Sequence, residues 1–139
     1  MHISIELQKA LEELRTELIA QLLNALPELN EGTVMTMGPP PYRRIDCRGR
    51  AVAYIRTRPR KQAVRIDISG LWVICPQSQE NVHRFMVRSA TGGVSLLLKS
   101  KTDIEDSIRL IVDTVVHTQT LEREYAERKQ AREERNQAA

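Results

Sequence analysis

Leucines recur at spacings of three and four near the start of the chain. Leu7, Leu11, Leu14, Leu18, Leu22 and Ala25 fall on one helical face, widened by Ala10, Ile19 and Leu26. Gln8, Lys9, Glu12, Glu13, Thr16 and Gln21 lie mostly opposite. The spacing predicts an amphipathic helix over residues 4–26, ended by Pro27 and Gly32. Such a stripe either covers a sheet or packs against a second helix in a dimer, and the two are compatible.

Further on the period changes to two. Between Arg50 and Arg56, Ala51, Ala53 and Ile55 alternate with Val52, Tyr54 and Arg56. Val64, Ile66 and Ile68 then alternate with Ala63, Arg65 and Asp67. Alternation with β-branched residues predicts two half-buried strands. Pro59 has a fixed φ and no N–H, so it belongs in the connection, giving a β-hairpin with a basic tip. Ala51, Ala53 and Ile55 form its inner face on this reading; the alternative turns Val52 and Tyr54 inward and exposes Ile55.

Leu71 to Cys75 is a short apolar run closed by Pro76, followed by a polar loop, Gln77 to Asn81. Val82 to Arg88 alternates again, and Thr91-Gly92-Gly93 is a turn before the strand of Val94, Leu96 and Leu98, which predicts a second hairpin. Thr102-Asp103-Ile104-Glu105 reads as a capping box. It opens a helix over 102–120 whose apolar face is Ile104, Ile108, Ile111, Val112 and Val115, with Asp103, Glu105 and Asp106 at the positive end of its dipole. Beyond Thr120 only Leu121 and Tyr125 are large and apolar, so residues 121–139 predict a charged, solvated helical extension that frays toward Ala139. Gly38-Pro39-Pro40-Pro41 makes 35–42 a stiff connector.

These elements predict a single α+β domain over residues 1–120. Two layers are expected: an antiparallel sheet of four or five strands within 50–99, covered on one face by the N-terminal and C-terminal helices. Ile66, Ile68, Leu96, Leu98, Ile108 and Ile111 should be buried together. Aromatic residues make up only 4% of the 139 positions, so the core must be aliphatic. No apolar run approaches the roughly 18 residues of a membrane span, and the N-terminus does not read as a secretory signal. The expectation is a cytoplasmic protein with no membrane partner.

Charge changes the picture most. Arg43, Arg44, Arg48, Arg50, Arg56, Arg58, Arg60, Lys61 and Arg65 share their span with one acid, Asp46. That span carries +8 in a chain of net charge +3. Arginine suits bidentate contact with phosphate oxygens, a basic hairpin can enter a groove, and Tyr54 offers a stacking plane among the arginines. The reading is a non-enzymatic binding module whose nine cations and Tyr54 contact nucleic-acid backbone. An acidic protein surface is the alternative anionic partner. A protein-interaction or assembly module acting through the helices, including a homodimer, is the alternative without nucleic acid. A solvated charged hairpin that discourages edge-to-edge aggregation is the reading with no charged partner.

Catalytic patterns do not emerge. The sequence has no phosphate-binding glycine loop, no H-E-x-x-H and no G-x-S-x-G. His2, His83 and His117 have no neighbour at ligand spacing, so neither a metal nor another cofactor is expected. Cys47 and Cys75 are too few and too far apart for a disulfide framework. Cys47 sits among arginines, which predicts a lowered thiol pKa and some reactivity.

The segment AVRIDISGLW, a polar loop, and then TGGVSLLLKSKTDIEDSIRLI resemble the C-terminal half of MmcQ/YjbR-like and related small bacterial domains. The likeness covers roughly Arg50 to Val116, with Ser100 to Ile111 matching a capped helix of the form S-x-x-D-I-x-x-A-x-x-L-I. It implies a compact α+β fold and a DNA-binding-like or accessory role rather than an established enzyme, and it implies no particular site residue.

Overall fold

The structure is a computed structural model that describes residues 3–32, 42–88 and 93–138. The triple proline and Thr91-Gly92 lie outside those residues.

Helix α1 (Ile5–Ala25) begins at Ser4, whose hydroxyl accepts the Leu7 N–H at 3.1 Å and so satisfies one orphan donor of the first turn. Leu11, Leu14, Leu18, Ile19 and Leu22 are buried, while Ala10 and Ala25 are exposed. The stripe is therefore narrower than its spacing allows, and it is spent on the sheet, packing against strands of the central hairpin.

The sheet is antiparallel with six strands, two of which lie upstream of residue 50. In chain order they are β1 (Leu29–Glu31), β2 (Arg43–Cys47), β3 (Arg50–Arg58), β4 (Ala63–Ile68), β5 (Met86–Arg88) and β6 (Val94–Leu98). Their spatial order is β1-β2-β3-β4-β6-β5. Arg48 and Gly49 join β2 to β3 with φ of 51° and 79°. Positive φ at both central residues gives a two-residue turn whose twist matches the strands it joins.

The register between β2 and β3 shifts at Ile45/Asp46, leaving Val52 as an extra residue on β3. That bulge lets Val52 and its neighbour Ala53 both be buried. Strict alternation allowed only one of them inside. Ile55 is buried and Tyr54 lies on the other face, which decides the orientation of the hairpin.

After β4 the chain forms a loop, a single turn α2 (Pro76–Gln79) and a 3-10 segment (Glu80–Phe85) before the short β5. Val82 to Arg88 is thus not one strand, although it alternates. Val82 is buried, but Arg84 turns to Asp103 at 3.0 Å, Asp106 at 3.3 Å and the Asn81 carbonyl at 2.8 Å, and these contacts suit a turn.

Helix α3 (Ile104–Ala138) is preceded by a 3-10 turn (Lys101–Asp103). The expected capping box does not form. The Thr102 hydroxyl pairs with that of Ser100 at 2.7 Å, Asp103 accepts the Lys99 N–H at 3.3 Å, and Glu105 reaches Arg109 at 3.5 Å. The buried face of α3 is Ile104, Ser107, Leu110, Ile111, Thr114, Val115 and Thr118. Ile108 is only half-buried, and Leu110 occupies the place expected for it. Thr114 and Thr118 are buried because their hydroxyls accept the backbone N–H groups of Cys75 at 3.2 Å and Val73 at 2.8 Å. Residues 121–138 continue the same helix, every one exposed. No described helix is long and apolar enough to cross a membrane.

Candidate nucleic-acid interface

Both long helices bury their apolar residues in one cluster with Ile45, Ile55, Ile66 and Leu96, so both lie on one face of the sheet. Pleating sends alternate side chains to the other face. Cross-strand partners place Arg44, Tyr54, Arg56, Arg65, Asp67, Ser95 and Leu97 there. Among the described residues no helix covers that face.

The structure divides the nine cations into two groups. Five are held by carboxylates. Arg43 meets Glu31 at 2.5 Å on the helix-covered side, opposite Ile55, as an ion pair whose Nε–H is not aligned for a hydrogen bond. Arg44 meets Asp46 at 2.5 Å, and that hydrogen bond raises its pKa further. Arg48 meets Glu28 at 3.0 Å. Arg50 meets Glu122 of α3 at 2.9 Å and stacks over Trp72, whose indole N–H donates to the Ala51 carbonyl at 2.8 Å. Arg65 meets Asp67 at 2.9 Å, and Asp67 also accepts from the Ser95 hydroxyl at 2.5 Å. These five are not spare charge for a ligand as they stand.

The other four are Arg56, Arg58, Arg60 and Lys61, which have no carboxylate partner among the described residues. They are grouped on the second half of β3 and the 3-10 turn that follows it (Pro59–Lys61). Pro59 opens the turn, and Gln62 closes it at φ 51° with its N–H on the Pro59 carbonyl at 3.0 Å. This fixed turn leaves Arg60 and Lys61 exposed, with Arg58 half-buried at its root.

Arg56 lies directly across from Arg65 in the register. Like charges directly opposed repel. The pair is relieved by divergence: Arg65 leans to Asp67 and Ser95, and Arg56 sits over the Tyr42 ring, 4.3 Å from its centroid. The Arg56 Nε is buried with no hydrogen-bond acceptor among the described residues, and the cation–π contact with Tyr42 offsets part of that cost. Tyr42 in turn meets Tyr54 edge to face, with centroids 6.3 Å apart and ring planes at 83°.

Tyr42 is the site residue that sequence reasoning passed over. It ends the proline-rich connector, and only the pairing of β2 with β3 brings it beside Tyr54 and Arg56. Cys47 corrects a second expectation. Its sulfur is buried, 3.9 Å from a Glu28 carboxylate oxygen and 3.8 Å from the Gln119 amide. Burial, then the charge of Glu28, push the thiol pKa up against the opposing pull of Arg48 and Arg50. Among the described residues no three His, Cys, Asp or Glu side chains gather at metal-ligand distance.

No family model, no curated protein and no solved structure matches this chain.

Proposed function

We propose that this protein is a binding module whose central hairpin grips the phosphate backbone of a nucleic acid. The observation that carries this reading is the grouping of Arg56, Arg58, Arg60 and Lys61 on one strand end and its turn, without carboxylate partners among the described residues. Cations held at a surface are most useful to an anion that arrives from outside. Four such charges spaced along an extended strand and a turn suit successive phosphates better than a single small anion. Arg43, Arg44, Arg48, Arg50 and Arg65 support the hairpin through their ion pairs.

The test is a salt titration of binding to random-sequence DNA and RNA. Each phosphate contact contributes about 0.7–0.9 to the slope of log affinity against log salt, so four give about −3. Changing Arg58, Arg60 and Lys61 together to alanine removes about two units of that slope while the fold persists, because none of the three is fully buried or has a carboxylate partner among the described residues. Absence of binding at low salt, or a triple variant that binds like the parent, overturns the reading.

A second reading has its own observation. Leu71 and Tyr125 are 70% and 66% exposed, with Val73 and Leu121 exposed near them at the root of the free helix. Arg50 links Glu122 to the Leu71 carbonyl, and Thr118 holds Val73, so these residues share one region. A second copy of the chain fits it, because the helix beyond carries five acids and five bases and can pair with itself. Sedimentation that shows a monomer at every concentration removes this reading.

A further inference from the structure

Phosphate contact alone does not distinguish a duplex from a single strand. The face of the sheet behind the basic turn does. On β3, Tyr54, Arg56 and Arg58 point to the same side, two residues apart, from the middle of the uncovered face to the root of the turn. Their spacing is about 6.6 Å, comparable to the step between phosphates of an extended single strand. Tyr54 is flanked by Arg44 on β2 and Asp67 on β4, and its ring meets Tyr42 edge to face.

We propose that this face stacks an unpaired base on Tyr54, braced by Tyr42, so that the nucleic acid gripped by the hairpin is single-stranded. The proposal rests on the backbone-binding reading above and adds the substrate class. Charge suits a nucleic acid here, and the aromatic rings select the single strand. Asp46 and Asp67 are each held by an arginine of the same face, and Asp67 by Ser95 as well, so neither is left to repel a phosphate. Arg56 then remains beside the rings, with Arg58, Arg60 and Lys61 beyond it along the strand and turn. Every base has a π face, so aromatic stacking next to cations holds single strands with little regard to sequence. A duplex keeps its bases stacked within itself and offers a sheet phosphates and base edges, but no free base face to stack on a ring.

Arg56 has a further part in this arrangement. Its guanidinium covers one side of Tyr42, and Tyr42 braces Tyr54. These two contacts link the three side chains and brace the rings before any strand arrives.

The experiment compares three probes of equal length on the full chain by fluorescence anisotropy: a random single strand, its duplex, and an abasic strand with the same phosphates and no bases. The single strand should bind about 5- to 140-fold more tightly than the abasic strand, the range expected for one stacked base. It should also exceed the duplex. Tyr54→Leu should lose a similar factor on the single strand, and Tyr54→Phe, which keeps the ring, should stay within about twofold of the parent. Equal affinity for normal and abasic strands overturns the stacking proposal and leaves the backbone reading standing, provided that the salt slope persists. Absence of binding to all three probes at low salt overturns both. The abasic comparison uses the parent protein, so it decides the matter even if Tyr54→Leu fails to fold.

Discussion

Burial and Glu28 outweigh Arg48 and Arg50 at the Cys47 sulfur. The arginines adjacent in sequence have partners of their own, Glu28 for Arg48 and Glu122 for Arg50, and these spend much of their field elsewhere. The thiol form is therefore favoured by the fold. Because the folded pKa is raised, this contribution to stability is fully present below the ordinary thiol value of 9.0 and is lost as pH rises through the raised one. Alkylation of native Cys47 by iodoacetamide at pH 8, followed by peptide mass spectrometry, should be at least on the order of tenfold slower than in urea. Its rate should still be climbing with pH above 9.0, where that of the unfolded thiol levels off. Reaction at the rate of a free thiol near neutrality would show a lowered pKa and contradict the burial account. The same residue shows why local sequence misleads about charge: neighbours along the chain need not be neighbours in the field.

Helix α3 shows how much an element reveals through its pattern. Its expected apolar face was Ile104, Ile108, Ile111, Val112 and Val115; Ile104, Ile111 and Val115 are buried, while Ile108 and Val112 are half-buried. Thr114 and Thr118 were invisible as core residues, because their partners are backbone groups 39 and 45 residues away. Including them rotates the buried stripe toward Leu110 and away from Ile108. Leu110→Ala should cost about 2–5 kcal/mol in urea melts, and Ile108→Ala clearly less. Equal losses would place the helix in the other rotation. The strands follow the same rule. β3 and β4 were legible because apolar and polar residues alternate over each of them. β2 was not, because Arg43, Arg44 and Asp46 leave only Ile45 and Cys47 as apolar markers. β1 has three residues, too few for any period to register. The basic hairpin of the candidate site was likewise readable, as were the close pairs Arg44–Asp46 and Arg65–Asp67, whereas the rest of the division of its cations depended on Glu28, Glu31 and Glu122, brought in by the fold.

At the scale of the whole molecule, β3 separates two exposed features. Its last residue, Arg58, leads into the basic turn, and its first, Arg50, is tied to Glu122 where the free part of α3 departs. A nine-residue strand holds these ends about 26 Å apart. That exceeds the screening length of about 8 Å at physiological salt, so the two ends do not sense each other electrostatically. The tail also contributes little field of its own, since five acids offset five bases between Glu122 and Arg135. Its residues are all exposed, and surface residues of this kind usually change stability by less than about 0.5 kcal/mol. A chain ending at Glu122 keeps the Arg50 ion pair and the whole core. It should melt within a few degrees of the parent, lose helical ellipticity in proportion to the residues removed, and bind nucleic acid with the parent's salt slope. Combined with the Arg58, Arg60 and Lys61 alanine substitutions, the truncation should add nothing to their effect on the slope, because distant sites with no shared partners act independently. A truncated chain whose slope fell by a unit or more would place phosphate contacts on Arg128, Lys129, Arg132 or Arg135, and the binding surface would then extend along the helix rather than end at the hairpin.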